Sequence, residues 1–223
     1  MRTIRLVRIF FDNIIAPREV PLFRGAVNVM LAGQHSILFH NHLDDGFRYA
    51  YPLIQYKRIG NRAAIVALED GTAALTDFFS ADTRVVRIGQ AITHLYISDI
   101  KAEEFSLQMQ PTMQRYRLRN WLPLNAANYA AYRATESLVE RIAFMERVLT
   151  GNILSFLKGI GIFVEEQLVC TITDIGAPRP IRYKGVKLMS FDVDFRANIA
   201  LPPLIGLGKG ASTGFGTITV NNM

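Results

Sequence analysis

Two hundred and twenty-three residues, half of them hydrophobic and 20% charged, suffice for one large domain or two of about a hundred residues each, and exclude a disordered chain. No apolar run approaches the roughly 18 residues of a membrane span, the alternating N-terminus holds no signal-peptide apolar segment, and the single cysteine, Cys170, excludes an intramolecular disulfide or a cysteine-based zinc cluster. The net charge of +6 is lopsided, with 12 basic and 11 acidic residues in 1–110 against 13 and 8 in 111–223; a soluble, cytoplasmic protein with a phosphate-bearing partner is expected.

Taken in chain order, Thr3–Phe11 alternates apolar and basic residues and predicts a strand with one buried face. Pro17–Pro21 reads as a loop. Leu22–Ala32 spaces Leu22, Val27, Met30 and Leu31 as a helix does, and Gly33 ends it. Tyr51–Ile59 and Arg62–Leu68 predict two strands joined by the hairpin signal Gly60-Asn61. Thr72–Phe79 predicts a short helix and Thr83–Ile100 a strand. The order β-α-β-β-α-β is that of the ferredoxin-like unit. The polar stretch Lys101–Gln114 places a boundary, giving an N-terminal domain of residues 1–105 and a C-terminal domain of 106–223.

The second half opens with a strand at Arg115–Leu122 and one long helical stretch over Asn125–Lys158, with Leu138, Ile142, Met145, Val148 and Leu149 apolar and Gly151 as a break point. Leu168–Ile175, Ile181–Ala200 and Gly214–Val220 read as strands. The element order repeats that of the first half without a visible second helix. The expected fold class is α+β: tandem ferredoxin-like (RRM-like) domains, the second degenerate.

Three of the four histidines, His35, His40 and His42, crowd into residues 34–46, just after the first predicted helix. Two imidazoles together suit a general base and a general acid near neutral pH; each taken singly also fits a helix cap or a loop surface. His40-x-His42-x-Asp44 overlaps a zinc signature of metallo-hydrolases, but that signature needs a sixth-position His where Asp45 stands, and only His94 follows downstream. With too few ligands for a catalytic zinc site, no metal and no cofactor are expected.

Near the C-terminus Gly206, Gly208, Gly210, Gly214 and Gly216 fall within eleven residues together with Lys209. No Gly-Lys-Ser/Thr occurs and only seven residues follow Gly216, so neither a P-loop nor a dinucleotide fingerprint is present. Open backbone N–H groups beside a lysine can approach phosphates; a flexible hairpin connection is the competing reading. Arg115, Arg117 and Arg119 alternate, which puts their guanidiniums on one side of a strand. Arg179, Arg182, Lys184 and Lys187 form a run without an acidic residue. With Tyr116 and Tyr183 interleaved, both runs suit a nucleic-acid backbone with stacked bases, although each alone also fits a solvated strand face.

Gly206-Leu-Gly208, five residues, then Gly214-Phe-Gly216 resembles the glycine-rich loop of the RAMP superfamily of CRISPR-associated proteins. Within it the chain is similar to the endoribonucleases that cut precursor CRISPR RNA at its repeats, and His40-Asn41-His42 corresponds to the His-x-His arrangement of one subgroup, whose strand Leu53–Lys57 also resembles. The resemblance implies metal-independent cleavage: the substrate's 2′-OH attacks the adjacent phosphorus and leaves a 2′,3′-cyclic phosphate and a 5′-OH. His40 and His42 are then base and acid in an order left open, Lys57 the cation that steadies the phosphorane, and the basic runs with Lys209 and the five glycines the RNA grip. The implied partners are the precursor CRISPR RNA repeat, CRISPR effector-complex subunits and a second copy as a homodimer, with no membrane. A non-catalytic RAMP subunit that only holds guide RNA is the alternative, and it has no need of clustered histidines.

Overall fold

The computed structural model describes residues 2–31, 42–43, 46–47 and 51–220. In chain order these form β1 (Arg2–Ile14), a 3-10 turn (Pro17–Glu19), α1 (Val20–Met30), β2 (His42–Leu43), β3 (Gly46–Phe47), β4 (Ile54–Ile59), β5 (Arg62–Leu68), α2 (Asp70–Ser80), β6 (Val85–Ile88), β7 (Ala91–His94), β8 (Ile97–Leu107) and β9 (Met109–Trp121). There follow α3 (Ala126–Ala134), α4 (Leu138–Gly159), β10 (Cys170–Ile175), β11 (Arg179–Tyr183), β12 (Val186–Ile199), a 3-10 turn (Ala211–Thr213) and β13 (Thr217–Val220). The chain divides into two compact units: Thr3–Phe105 together with Ser212–Gly214, and Ser106–Ala211 with Arg2 and the residues from Phe215 on.

The first unit has the ferredoxin-like plan, a sheet in the order β4-β5-β1-β8 with α1 and α2 as crossovers. Its core follows from the period-two pattern of the strands: Ile9 and Phe11 of β1, Ile54 and Tyr56 of β4 and Ala63, Ile65 and Ala67 of β5 share a cluster with Phe23 and Val27 of α1 and Leu75 and Phe78 of α2. Phe11 meets Phe23 and Phe78 edge-on, with ring centres 5.7 and 5.9 Å apart.

The second unit repeats the plan in the order β10-β12-β9-β13, with β11 folded back on β12. Tyr116 and Leu118 of β9 and Val193 and Phe195 of β12 are buried, as are Met145, Leu149, Ile153 and Phe156, spaced four, four and three residues apart along α4. The buried Tyr116 hydroxyl donates to the Ile199 carbonyl (2.8 Å) and accepts from the Leu201 N–H (2.9 Å). Where the second crossover helix of this plan would stand, the described residues hold only the three-residue turn Ala211–Thr213.

Four expectations need correction. Pro17–Pro21 is not a loop: it forms a 3-10 turn and the start of α1, where Pro21 lacks only an N–H that a helix start leaves unused. Thr83–Ile100 is three strands; Gly89, at φ +62°, turns β6 into β7 without disturbing the period-two pattern. Asn125–Lys158 is two helices, because Asn125 caps α3 and Ser137 caps α4 through the Glu140 N–H, while Gly151 lies inside α4 and breaks nothing. Ile181–Ala200 is the β11–β12 hairpin, whose turn residues Lys184 and Gly185 both take positive φ. The polar stretch Lys101–Gln114 is itself mostly strand; it is polar because β8 is an edge strand exposed from Ser98 to Glu104. Among the described residues no helix is long and apolar enough to cross a membrane.

Candidate functional site

His35 and His40 lie outside the described residues. His42 is described only as backbone, in β2 opposite Phe47 of β3. What the structure fixes is the frame of this histidine-bearing segment: it leaves from the end of α1 and returns into β4. Gln55 of β4, fully buried, donates from Nε2 to the Tyr51 hydroxyl (2.8 Å) and the Pro52 carbonyl (3.0 Å), which sets the entry into the strand. On the opposite face of β4 the buried Tyr56 hydroxyl donates to Asn28 Oδ1 of α1 (3.3 Å). Burial raises the Tyr56 pKa, against the opposing charge of Arg24.

Lys57 stands on the Gln55 face of β4, opposite Ala64 of β5, and is 0% exposed. Burial pushes its pKa down from 10.5 to about 7. Lys57, expected as the cation at the phosphorane, is thus enclosed on β4, where burial disfavours its charged form.

The glycine loop is shaped by packing. Gly208 takes φ +78°, and a Cβ on it would stand 2.6 Å from Asn152 Oδ1 and 3.0 Å from Trp121 Nε1, the two ends of a 2.9 Å hydrogen bond between β9 and α4. A Cβ on Gly216, at φ +58°, would run into the Leu207 carbonyl, and the Leu207 N–H donates to the Gly216 carbonyl across the loop (2.8 Å). Gly208→Ala is expected to destabilise the protein by roughly 1–3 kcal/mol; a urea midpoint equal to wild type would contradict the tight fit. The segment Ser212–Gly214 belongs to the first unit: Arg24 Nη1 of α1 donates to Ser212 Oγ (3.4 Å), and Gly214, at φ +88°, lies against Val20 and the Tyr56 carbonyl.

Two basic elements that are separate in sequence meet at one ring. Lys184 from the β11–β12 turn and Lys209 from the glycine loop both place their ammonium about 6 Å from the Tyr183 ring centre (5.9 and 5.8 Å), and Phe215 abuts the same ring edge-on at 5.4 Å. Arg182 and Lys187 face each other across the hairpin, both exposed. Gly206 bridges to Thr217, and Gly210 lies against Phe215.

The arginines of β9 share the outer face as the alternation requires, with Tyr116 and Leu118 inward. Two of them are held by acids from β12. Arg117 grips Asp194 through two hydrogen bonds of 2.7 and 2.8 Å, and these keep the Asp194 carboxyl below its ordinary pKa. Asp192 is shared by Arg119 (3.2 Å) and Arg179 of β11 (2.8 Å), and Arg179 also reaches Asn120 Oδ1 (3.2 Å). Arg115 lies opposite Arg196. The run 179–187 is thus not free of acidic neighbours once folded. The alternation Asp192-x-Asp194 matching Arg117-x-Arg119 was the available signal, since antiparallel register sets such residues face to face.

Comparison with known proteins follows the same two-part division. A family model described as the Cas6b N-terminal domain matches residues 2–106, and one described as the Cas6b C-terminal domain matches residues 108–221. A solved structure described as the crystal structure of Cas6b aligns with a TM-score of 0.90 at 25% identity, covering 99% of this chain and 100% of that one. Another, described as the CRISPR RNA processing endoribonuclease Cas6b, aligns with a TM-score of 0.75 at 23% identity over 99% and 100% of the two chains. An uncharacterized protein of Methanocaldococcus jannaschii is 32% identical over 120 residues, 53% of this chain and 79% of its own length.

Proposed function

The chain belongs to the Cas6b family, and from that membership we propose that it is a metal-independent endoribonuclease that cuts precursor CRISPR RNA within its repeats. The observation that carries the proposal is the pair of family domains matched in succession over residues 2–106 and 108–221. The His40-x-His42 pair supports the chemistry. One imidazole takes the proton from the 2′-OH as it bonds to the adjacent phosphorus, and the other protonates the 5′-oxygen as its bond to phosphorus breaks. The products are a 2′,3′-cyclic phosphate and a 5′-OH. Residues 1–105 carry this chemistry. Residues 106–223 grip the RNA, chiefly through Lys184, Lys209, Arg182 and Lys187 around Tyr183. Arg117, Arg119 and Arg179 first meet carboxylates of their own sheet. Lys57, on β4, is the cation that steadies the developing phosphorane charge.

The test is a repeat RNA carrying a single 2′-deoxy nucleotide at the cleavage position, together with the all-ribose RNA in excess EDTA. The expected result is no cleavage of the first and full cleavage of the second. Activity lost in chelator and restored by zinc would overturn the metal-independent reading. RNA that binds tightly yet stays uncut under every condition would make the chain a guide-RNA-holding subunit.

A further inference from the structure

The β6–β7 hairpin of the first unit turns one face outward. Val85 pairs with His94 and Arg87 with Ile92, so these four side chains share a side, while Val86 and Ile88 between them enter the core. On the outward side Ile92 is 63% and Tyr96 60% exposed, Arg87 is exposed, and the Tyr96 ring lies 4.8 Å from the His94 ring at an interplanar angle of 44°. Among the described residues Arg87 has no carboxylate partner, in contrast to Arg117 and Arg119 of β9.

These rings are held in place by backbone that is already satisfied. Asn13, near the end of β1, donates from Nδ2 to the His94 carbonyl (2.8 Å) and to Thr93 Oγ1 (3.1 Å), and its Oδ1 accepts from the Tyr96 N–H (2.9 Å). The Asp12 N–H donates to the Tyr96 carbonyl (2.8 Å). One amide side chain therefore fixes the backbone at both ends of His94–Tyr96, and an exposed tyrosine ring set against a half-buried histidine needs little further ordering to accept a flat partner. The hairpin rests on α1, where Gly89 adjoins Leu22, and α1 is the helix from which the histidine-bearing segment departs.

Resting on the RNA reading above, we propose that this hairpin face is a stacking platform for an unpaired base of the RNA, with Tyr96 and His94 under the base and Arg87 on a neighbouring phosphate. Every base presents a π face to an aromatic ring, so such a site tolerates sequence, and a guanidinium beside it supplies the charge a nucleotide requires. A few side chains on one hairpin match one or two nucleotides, and fall well short of the roughly 800 Å² per partner that a stable protein interface covers.

The experiment measures the affinity of a labelled repeat RNA with unpaired flanks at several salt concentrations, in a His40→Ala/His42→Ala chain that leaves the RNA uncut. Tyr96→Ala should weaken binding by about 5- to 100-fold without changing the salt slope, and Tyr96→Phe should restore it. Arg87→Ala should lower the log–log salt slope by about 0.7. If the parent chain binds RNA and Tyr96→Ala binds equally well, the platform is wrong while the RNA reading stands. If the parent binds no RNA, both fall. If Tyr96→Ala leaves RNA affinity intact but shifts a monomer–dimer equilibrium in sedimentation, the face is a protein contact and the proposal is overturned.

Discussion

His40→Ala and His42→Ala should each slow single-turnover cleavage of a repeat RNA by about 10²–10⁴-fold, the range a general acid or base supplies, while RNA affinity stays within several-fold. The two effects separate because the positive charges proposed to grip RNA lie elsewhere, on the β11–β12 turn and the glycine loop. Loss of the base and loss of the acid should also change the pH–rate profile differently, removing its rise in one variant and its fall in the other. That difference assigns the two roles. Wild-type rates in both variants would remove these residues from the chemistry and make His35 the next to replace.

Lys57→Met should change the pH dependence of stability. The native amine has its pKa pushed down to about 7 by burial, against 10.5 for an ordinary lysine. Below pH 7 both native and unfolded chains carry the proton, and the full penalty of an enclosed charge is present. Between pH 7 and 10.5 the native amine is neutral while the unfolded one still binds a proton, so unfolding free energy rises with pH. Above 10.5 the penalty has gone. The difference between about 7 and 10.5 corresponds to roughly 5 kcal/mol. Urea unfolding of both proteins from pH 6 to 10.5 should therefore show the methionine variant ahead at low pH and the gap closing as pH rises. Parallel curves would show that the enclosure of Lys57 does not bias its protonation.

Much of the fold was legible because its strands obey a period of two and its crossover helices a period near 3.6. The Thr3–Phe11 alternation, the Gly60-Asn61 turn and the apolar stripe of α4 each led directly to an observed element. What escaped was punctuation. Gly89 and Lys184-Gly185 turn the chain without interrupting the alternation around them, so two hairpins read as continuous strands. Ser137 restarts a helix inside a run whose composition is helical throughout. At the site, the glycine motif was visible in sequence. That Gly208 is required by the Trp121–Asn152 hydrogen bond was not, because the partners lie more than fifty residues away. The carboxylates holding Arg117 and Arg119 lie more than seventy residues on, and register brings them together, the matching Asp192-x-Asp194 alternation being their trace in the sequence. The full enclosure of Lys57 was not legible, because nothing local to Gln55–Arg58 marks that position of β4 as buried.

The contribution of Ser212–Gly214 to the first unit bears on how the chain acquires its structure during synthesis. The three residues seated beside Arg24, Val20 and Tyr56 are made after nearly the whole second unit. A ribosome that has released residues 1–105 has therefore released an incomplete body, whose α1 and β4 still lack these three neighbours. The histidine-bearing segment is framed by those same two elements. Domains usually mature in the order in which they emerge; here the N-terminal body stays unfinished until residues 106–211 of the second unit have been made. Premature termination anywhere before position 212 would thus leave the frame of the histidine pair incomplete, even though every residue of that pair and of its two flanking elements had already been made.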